Sequence, residues 1–291
     1  MTEYIDNKRI VEQLEKRLKE KEAELDELYG VLGRLNSYVA NLIQDTEAGV
    51  RAAMSLHRKL STRKFPKLSD ASFASRYIIS NTDLSSYYDF FELPKDSGAG
   101  ILVCDSKGFG ISAVIMSIVM SLLETSAAKS PKTFVQTVRD DVKKHVKDNN
   151  QGTASMLYMV FERSQMNLRY CSMGFPGILI VRGPEVMHLT GATSDLMSVT
   201  DIEEKSIKLA PGDKIIIANR GIIFSQDSNG DKLGIERIKN CLTGAAHVPI
   251  ADVINNIGFE LDNFTEGNRS RLCGDMVIAG MELARKMLYV V

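Results

Sequence analysis

The sequence has almost no excess of charge: 36 lysines and arginines stand against 37 aspartates and glutamates, a formal net charge of −1 over 291 residues. A broad nucleic-acid surface needs clustered cations, so that class of partner is not expected. Long apolar runs are missing too. None approaches the roughly 20 residues of a membrane helix, and the polar start, Met1–Arg9, lacks the apolar centre of a signal peptide. The expectation is a cytoplasmic protein without a membrane partner. There is no CxxC pair among Cys104, Cys171, Cys241 and Cys273, which argues against a zinc ribbon. Each cysteine lies in an apolar context and is expected as a reduced core residue. His57, His145, His188 and His247 form no HExxH or HxH arrangement, and neither a GxSxG elbow nor a Walker loop is present. Gly98-Ala99-Gly100 and Gly108-Phe109-Gly110 are short and read as turns. What the chain does have is 44% hydrophobic and 25% charged residues, enough for a real core.

Proline is absent from residues 4–60, and apolar residues recur there at alternating spacings of three and four. Tyr4, Val11, Leu18, Leu25, Leu32 and Val39 form one series; Leu14, Lys21, Leu28, Leu35 and Leu42 form the other. These are the a and d positions of a heptad, a stripe narrower than a globular face requires. The seam predicts a coiled coil over residues 1–45, with a homodimer formed through residues 4–42. Lys21 at a d position costs stability and helps fix register. Arg17 and Glu22 are placed to pair across a parallel dimer, a small gain for exposed charges. The other reading is one long helix packed on its own domain. Gly30 and Gly33 loosen the middle of the helix, each at about 1 kcal/mol relative to alanine. After Leu42 the seam fades, and residues 46–68 read as a connecting helix and linker, broken at Arg63–Pro66.

Residues 69–291 read as one α/β domain. Strands are predicted at Phe73–Ile79, Tyr87–Leu93, Gly100–Asp105, Ser155–Glu162, Met166–Ser172, Gly177–Arg182, Val186–Leu189, Lys205–Lys208, Lys214–Ala218 and Met276–Met281. Helices are predicted at Ile111–Ser126, from Pro131 onward with Phe134, Val138, Val142 and Val146 on one face, and at Ile235–Leu242 and Ile250–Phe264. Helices, a run of strands, then helices and a closing strand suggest an α+β sandwich with helices outside an antiparallel core.

Several segments carry a resemblance. Ser85-Ser86-Tyr87-Tyr88-Asp89-Phe90 is similar to GGDYYDF, Asp105–Gly110 to DxSGHG, and Met173-Gly174-Phe175-Pro176 to AGHPP. Leu209–Asp213 (LAPGD) followed by Ala218-Asn219-Arg220-Gly221 is similar to LxPGD and then TDG. Asn229-Gly230 with Leu233–Arg237 matches the loop and helix beyond it, and Gly274-Asp275-Met276-Val277 matches the closing DDxT. In this order the segments resemble the PPM (PP2C-like) serine/threonine phosphatases, in the bacterial branch of the sporulation stage II E phosphatase and the RsbU-like sigma-factor regulators. The resemblance runs from about Ala48 to Met281. It implies two antiparallel sheets flanked by helices, behind an N-terminal coiled-coil helix.

The family's chemistry is phosphoester hydrolysis with two divalent cations held by carboxylates. Its ligand positions fall here on Ser86, Asp105, Arg220 and Gly274, so Asp105 is the one retained ligand. Hard Mg²⁺ or Mn²⁺ needs several oxygen ligands. Arg220 places a permanent cation where the family has an aspartate, and its repulsion of a dication a few ångströms away amounts to several kcal/mol. Asp89 and Asp275 neighbour the ligand positions without being the main ligands. The family's histidines are Phe109 and Phe175 here, which makes the cleft more apolar and better suited to binding than to phosphate chemistry. The expectation is therefore a degenerate site (Ser86, Asp89, Asp105, Arg220, Gly274, Asp275) with no metal and no other cofactor. Arg220 is expected to make a charge-assisted hydrogen bond or salt bridge with Asp105, or failing that with Asp89 or Asp275, in the metal's stead; the other reading turns it outward into solvent. On this reading the protein is a dimeric pseudophosphatase with a protein partner in a regulatory pathway. The alternative is a divergent serine/threonine phosphatase acting on a phosphorylated regulator, such as an anti-sigma-factor antagonist, with Asp105, Asp89 and Asp275 around one Mg²⁺ or Mn²⁺.

Overall fold

A computed structural model describes residues 14–39, 41, 65–80, 84–94, 97–107, 130–145 and 153–285. The chain divides into two compact units, Met1–Thr62 and Arg63–Val291. In the first unit, residues 14–39 form one continuous helix, α1. Its apolar stripe is open: Leu14, Leu18, Leu25, Leu28, Leu32 and Leu35 are all exposed, Leu18 by 61%. The d-position Lys21 pairs along the helix with Glu24. The expected helix over 111–126 lies outside the described residues, and of the connecting segment 46–68 they include 65–68.

The second unit contains ten strands and four helices among its described residues. In chain order these are β1 (Ala71–Ile78), β2 (Leu84–Glu92), β3 (Gly98–Lys107), α2 (Pro131–His145), β4 (Ala154–Glu162), β5 (Asn167–Met173), β6 (Gly177–Arg182), β7 (Glu185–His188), β8 (Lys205–Lys208), β9 (Lys214–Ala218), α3 (Arg220–Ile223), α4 (Gly234–Leu242), α5 (Ile250–Phe264) and β10 (Met276–Leu283). They build two five-stranded sheets, ordered β1-β10-β9-β6-β7 and β2-β3-β4-β5-β8. Neighbouring strands are antiparallel throughout, as β2 on β3 and β10 on β9 illustrate. No helix among the described residues is long and apolar enough to cross a membrane.

The alternation of side chains along each strand makes three cores. Between the sheets, Ile101, Val103, Leu157 and Met159 of one meet Ile178, Ile180, Ile215, Ile217 and Val277 of the other. On the outer side of the β2–β8 sheet, Leu102, Met156 and Tyr158 pack on Phe134, Val138 and Val142 of α2. Here the Phe134 and Tyr158 rings stack with centroids 4.1 Å apart. On the outer side of the other sheet, Leu179, Ile216 and Ile278 pack on Ile238 of α4 and Val253, Ile257 and Leu261 of α5. The expected sandwich of antiparallel sheets between helices is the observed one. The cysteines depart from expectation. Cys104 and Cys171 are buried, but Cys241 is half-buried and Cys273 is exposed, because Cys273 lies in the loop leading into β10 rather than on a strand.

Candidate functional site

Four chain segments meet at one end of the inter-sheet core. Ser86 and Asp105 sit directly opposite each other on β2 and β3. They share the inward face with Tyr88 and Val103 by the two-residue period of a strand. Asn219 follows β9, and Asp275 immediately precedes β10. The four are buried, with Asn219 fully inaccessible and Asp105 1% exposed.

Asn219 is the hub of their contacts. Its Nδ2 lies 2.9 Å from Ser86 Oγ, 2.8 Å from Asp105 Oδ1 and 2.8 Å from the Asp275 carbonyl oxygen. The amide's orientation is fixed from behind, since Oδ1 accepts the Val277 N–H at 3.0 Å. Ser86 Oγ is 2.7 Å from Asp105 Oδ1 and 3.0 Å from the Asp275 carbonyl oxygen, two acceptors within reach of its one hydroxyl hydrogen. The second carboxylate oxygen of Asp105 accepts the Arg220 backbone N–H at 3.0 Å. Burial pushes the Asp105 carboxyl up from its ordinary range, opposed by the hydrogen bonds from Asn219, Ser86 and the Arg220 amide and by the Arg220 charge. Desolvation disfavours the ionised form, and the donors return part of that cost.

The remaining expected residues are placed differently. The Asp275 carboxylate faces β1, accepting the Tyr77 hydroxyl at 2.7 Å and the Ser80 N–H at 2.9 Å. Asp89 lies three residues along β2 from Ser86, and odd spacing puts it on the opposite face of the sheet from Asp105. Its carboxylate accepts the Tyr87 hydroxyl at 3.4 Å. Gly274 is buried but offers no side-chain ligand. Arg220 corrects an expectation. Among the described residues its guanidinium makes no ion pair with Asp105, Asp89 or Asp275; it lies over the Phe224 ring at 5.5 Å. The peptide N–H of Arg220, held at the start of α3, reaches Asp105 instead, and the side chain leaves along the helix. Phe175 is buried in the inter-sheet core, and Phe109 lies outside the described residues.

Residue reasoning from the ligand positions missed Asn219. The available signal was its place in the TDG-like segment, where an amide replaces a hydroxyl beside a lost aspartate.

The donor set does not fit a pair of hard dications. Those need lone pairs aimed inward, whereas the Asn219 amide and the Arg220 N–H aim hydrogens at Asp105. Both Asp105 oxygens are engaged, and the Asp275 carboxylate is held by β1. Among the described residues no three histidine, cysteine or acidic side chains group around one point.

Two glycines of the resembling segments meet a need of the backbone. A Cβ on Gly221 would lie 2.1 Å from the Asp275 carbonyl oxygen, and Gly174 has φ +60°, a conformation that glycine adopts without strain.

Comparison with known proteins agrees with this fold. The family model of stage II sporulation protein E (SpoIIE) matches residues 95–273. The chain belongs to the SpoIIE family. Solved structures with the fold of this SpoIIE-family chain include the SiaA PP2C domain of Pseudomonas aeruginosa, at TM-score 0.63 and 15% identity over 72% of this chain and 85% of that one. The PP2C phosphatase domain of SpoIIE from Bacillus subtilis, with a fragment of its regulatory domain, follows at TM-score 0.57 and 16% identity over 75% and 64%. The RsbU and RsbW domains of a Mycobacterium tuberculosis protein align at TM-score 0.59 and 18% identity over 77% and 64%. The chain thus spans less than two thirds of the latter two. No curated protein matches the sequence.

Proposed function

We propose that this chain is a pseudophosphatase: a PP2C-like domain that binds a protein partner in a regulatory pathway without hydrolysing phosphoesters. The observation that carries the proposal is the Asn219–Ser86–Asp105 network. It fills the place of a two-metal centre with hydrogen-bond donors and leaves Asp105 as the one family ligand. The α1 stripe supports a dimer, since six leucines of the heptad seam are exposed in the single chain and a second copy of α1 would cover them. The free cysteines suit a reducing compartment such as the cytoplasm.

The single-metal alternative requires Asp105, Asp89 and Asp275 to converge. Asp89 on the far face of the sheet and Asp275 turned toward Tyr77 weigh against it. Calorimetric titration with Mn²⁺ tests the proposal. The expected result is no saturable heat at millimolar metal, and a site binding at micromolar concentration that is lost in Asp105→Ala would overturn it.

A further inference from the structure

The charge of α1 is confined to one half of the helix. Ten of the fourteen residues 14–27 are charged, whereas Arg34 alone is charged in residues 28–39. The heptad carries this difference to the flanks of the seam. With Leu18, Leu25 and Leu32 at a, the e and g positions are Glu15, Arg17, Glu22 and Glu24 in the first half and Tyr29, Val31, Asn36 and Tyr38 in the second. Tyr29, Val31 and Tyr38 are exposed in the single chain, as the seam leucines are. The apolar face is therefore narrow over the first half and wide over the second. Lys21 interrupts the seam within the charged half, and its ammonium pairs with Glu24 of the same helix at the surface.

A second copy of α1 can lie along this face in either direction, and the two directions bring different flanks together. In a parallel pair in register, each g residue meets the partner's e residue five positions on, and each d residue packs beside the partner's next e residue. Arg17 and Lys21 then both lie beside Glu22 of the partner subunit, so the two ammoniums of the Lys21 layer have two carboxylates next to them. Val31 lies beside the partner's Asn36, and the wide apolar halves coincide. The one mixed contact, Glu24 with the partner's Tyr29, falls at the boundary between the halves. In the antiparallel alignment that overlaps all of residues 14–39, Leu18 lies opposite the partner's Leu35 and Lys21 opposite the partner's Leu32. Glu22 then meets the partner's Tyr29, Glu24 the partner's Val31 and Arg17 the partner's Tyr38. Charged flanks cover apolar ones, which withdraws charges from water without a counter-charge. Sliding the parallel pair by one heptad has the same fault, since Arg17 then meets the partner's Tyr29. A single exposed ion pair is weak, so the direction is set by the four pairs around the Lys21 layer together with the match of the apolar halves.

We propose that α1 pairs with α1 of a second copy in parallel and in register, directed by Glu22 against Arg17 and Lys21 across the seam. This rests on the dimer reading above and gives it a direction: both chains run on toward residues 63–291 from the same end of the coil.

Disulfide trapping on the full chain tests the direction, in a Cys241→Ser/Cys273→Ser background that removes the half-buried and exposed native thiols. Leu14→Cys and Val39→Cys are oxidised singly and as a subunit-exchanged mixture, and the linked peptides are identified by mass after digestion. The expected result is that each variant links to itself and that no 14-to-39 link forms, because those positions lie about 37 Å apart in a parallel pair. A 14-to-39 link overturns the proposal, and so does failure of both single variants to link. The dimer dissociation constant, measured by sedimentation on chains with native cysteines, gives a second readout. Glu22→Lys is expected to weaken dimerisation at least about fivefold, and Arg17→Glu/Lys21→Glu/Glu22→Lys to recover most of that loss. An unchanged constant in Glu22→Lys, or no recovery in the triple variant, also overturns the proposal. The two readings fail differently: a monomeric parent defeats the dimer, whereas a dimer linked 14 to 39 defeats its direction alone.

Discussion

At the scale of single residues, Asn219 holds the site together. Its amide reaches two side chains and one carbonyl, and its oxygen takes the Val277 N–H. Truncation takes the acceptor from the buried Val277 N–H and one donor from each of Ser86, Asp105 and the Asp275 carbonyl, and an unmet buried group costs about 1–3 kcal/mol. Asn219→Ala is therefore expected to lower the unfolding free energy by about 2–4 kcal/mol in a urea titration; a loss below about 0.5 kcal/mol would mean that the network is slack.

Asp105 supplies a second expectation. Its folded-state pKa is raised, chiefly by burial. The folded chain then holds a proton on Asp105 over a window where the unfolded chain has released it, from about pH 4 up to the folded value. Asp105's contribution to stability is greatest below that window and declines as pH rises through it. Asp105→Asn is neutral at every pH and removes the decline, so the parent's stability minus the variant's should fall as pH rises. Parallel stability curves from pH 4 to 8 would contradict the assignment.

These two residues also show what the sequence conceals. Asp105 was legible as the retained ligand because a motif fixes its position. The Asn219 contacts were not, because they join β2, β3, β9 and β10, whose convergence exists only in the folded chain. Arg220 was legible as a misplaced cation, but its direction was not: the choice between an ion pair and the Phe224 ring depends on how α3 leaves β9.

At the scale of elements, β3, β4 and β9 are buried almost along their whole length, and near-continuous apolar runs such as ILVC and KIIIA announced them. Helix α2 was visible through its 3.6-residue apolar period. The four-residue α3 went unseen, since a single turn carries no period. Its existence follows from the chain turning at Asn219 and from Gly221 passing against the Asp275 carbonyl. The attachment of α2 to its sheet depends on the Phe134–Tyr158 stack. Both residues are fully buried. Phe134→Ala is expected to cost about 3–5 kcal/mol, with the larger share of any loss in helix protection falling on α2 in hydrogen exchange. A cost under about 1 kcal/mol would show that α2 is dispensable to the core.

At the scale of the whole molecule, the proposal joins two functions: α1 brings two copies together, and the phosphatase-fold unit binds a partner. If the seam is intermolecular, the full chain sediments as a dimer at tens of micromolar, and a chain lacking residues 1–45 sediments mainly as a folded monomer. A monomeric full chain would contradict the coiled coil. The central claim is chemical, however, and one assay addresses it directly. Phosphate release from phosphoserine peptides is measured with the full chain in millimolar Mn²⁺, beside Asp105→Ala. The account predicts release indistinguishable from the buffer blank for both proteins. Mn²⁺-dependent release by the parent that disappears in Asp105→Ala would contradict it.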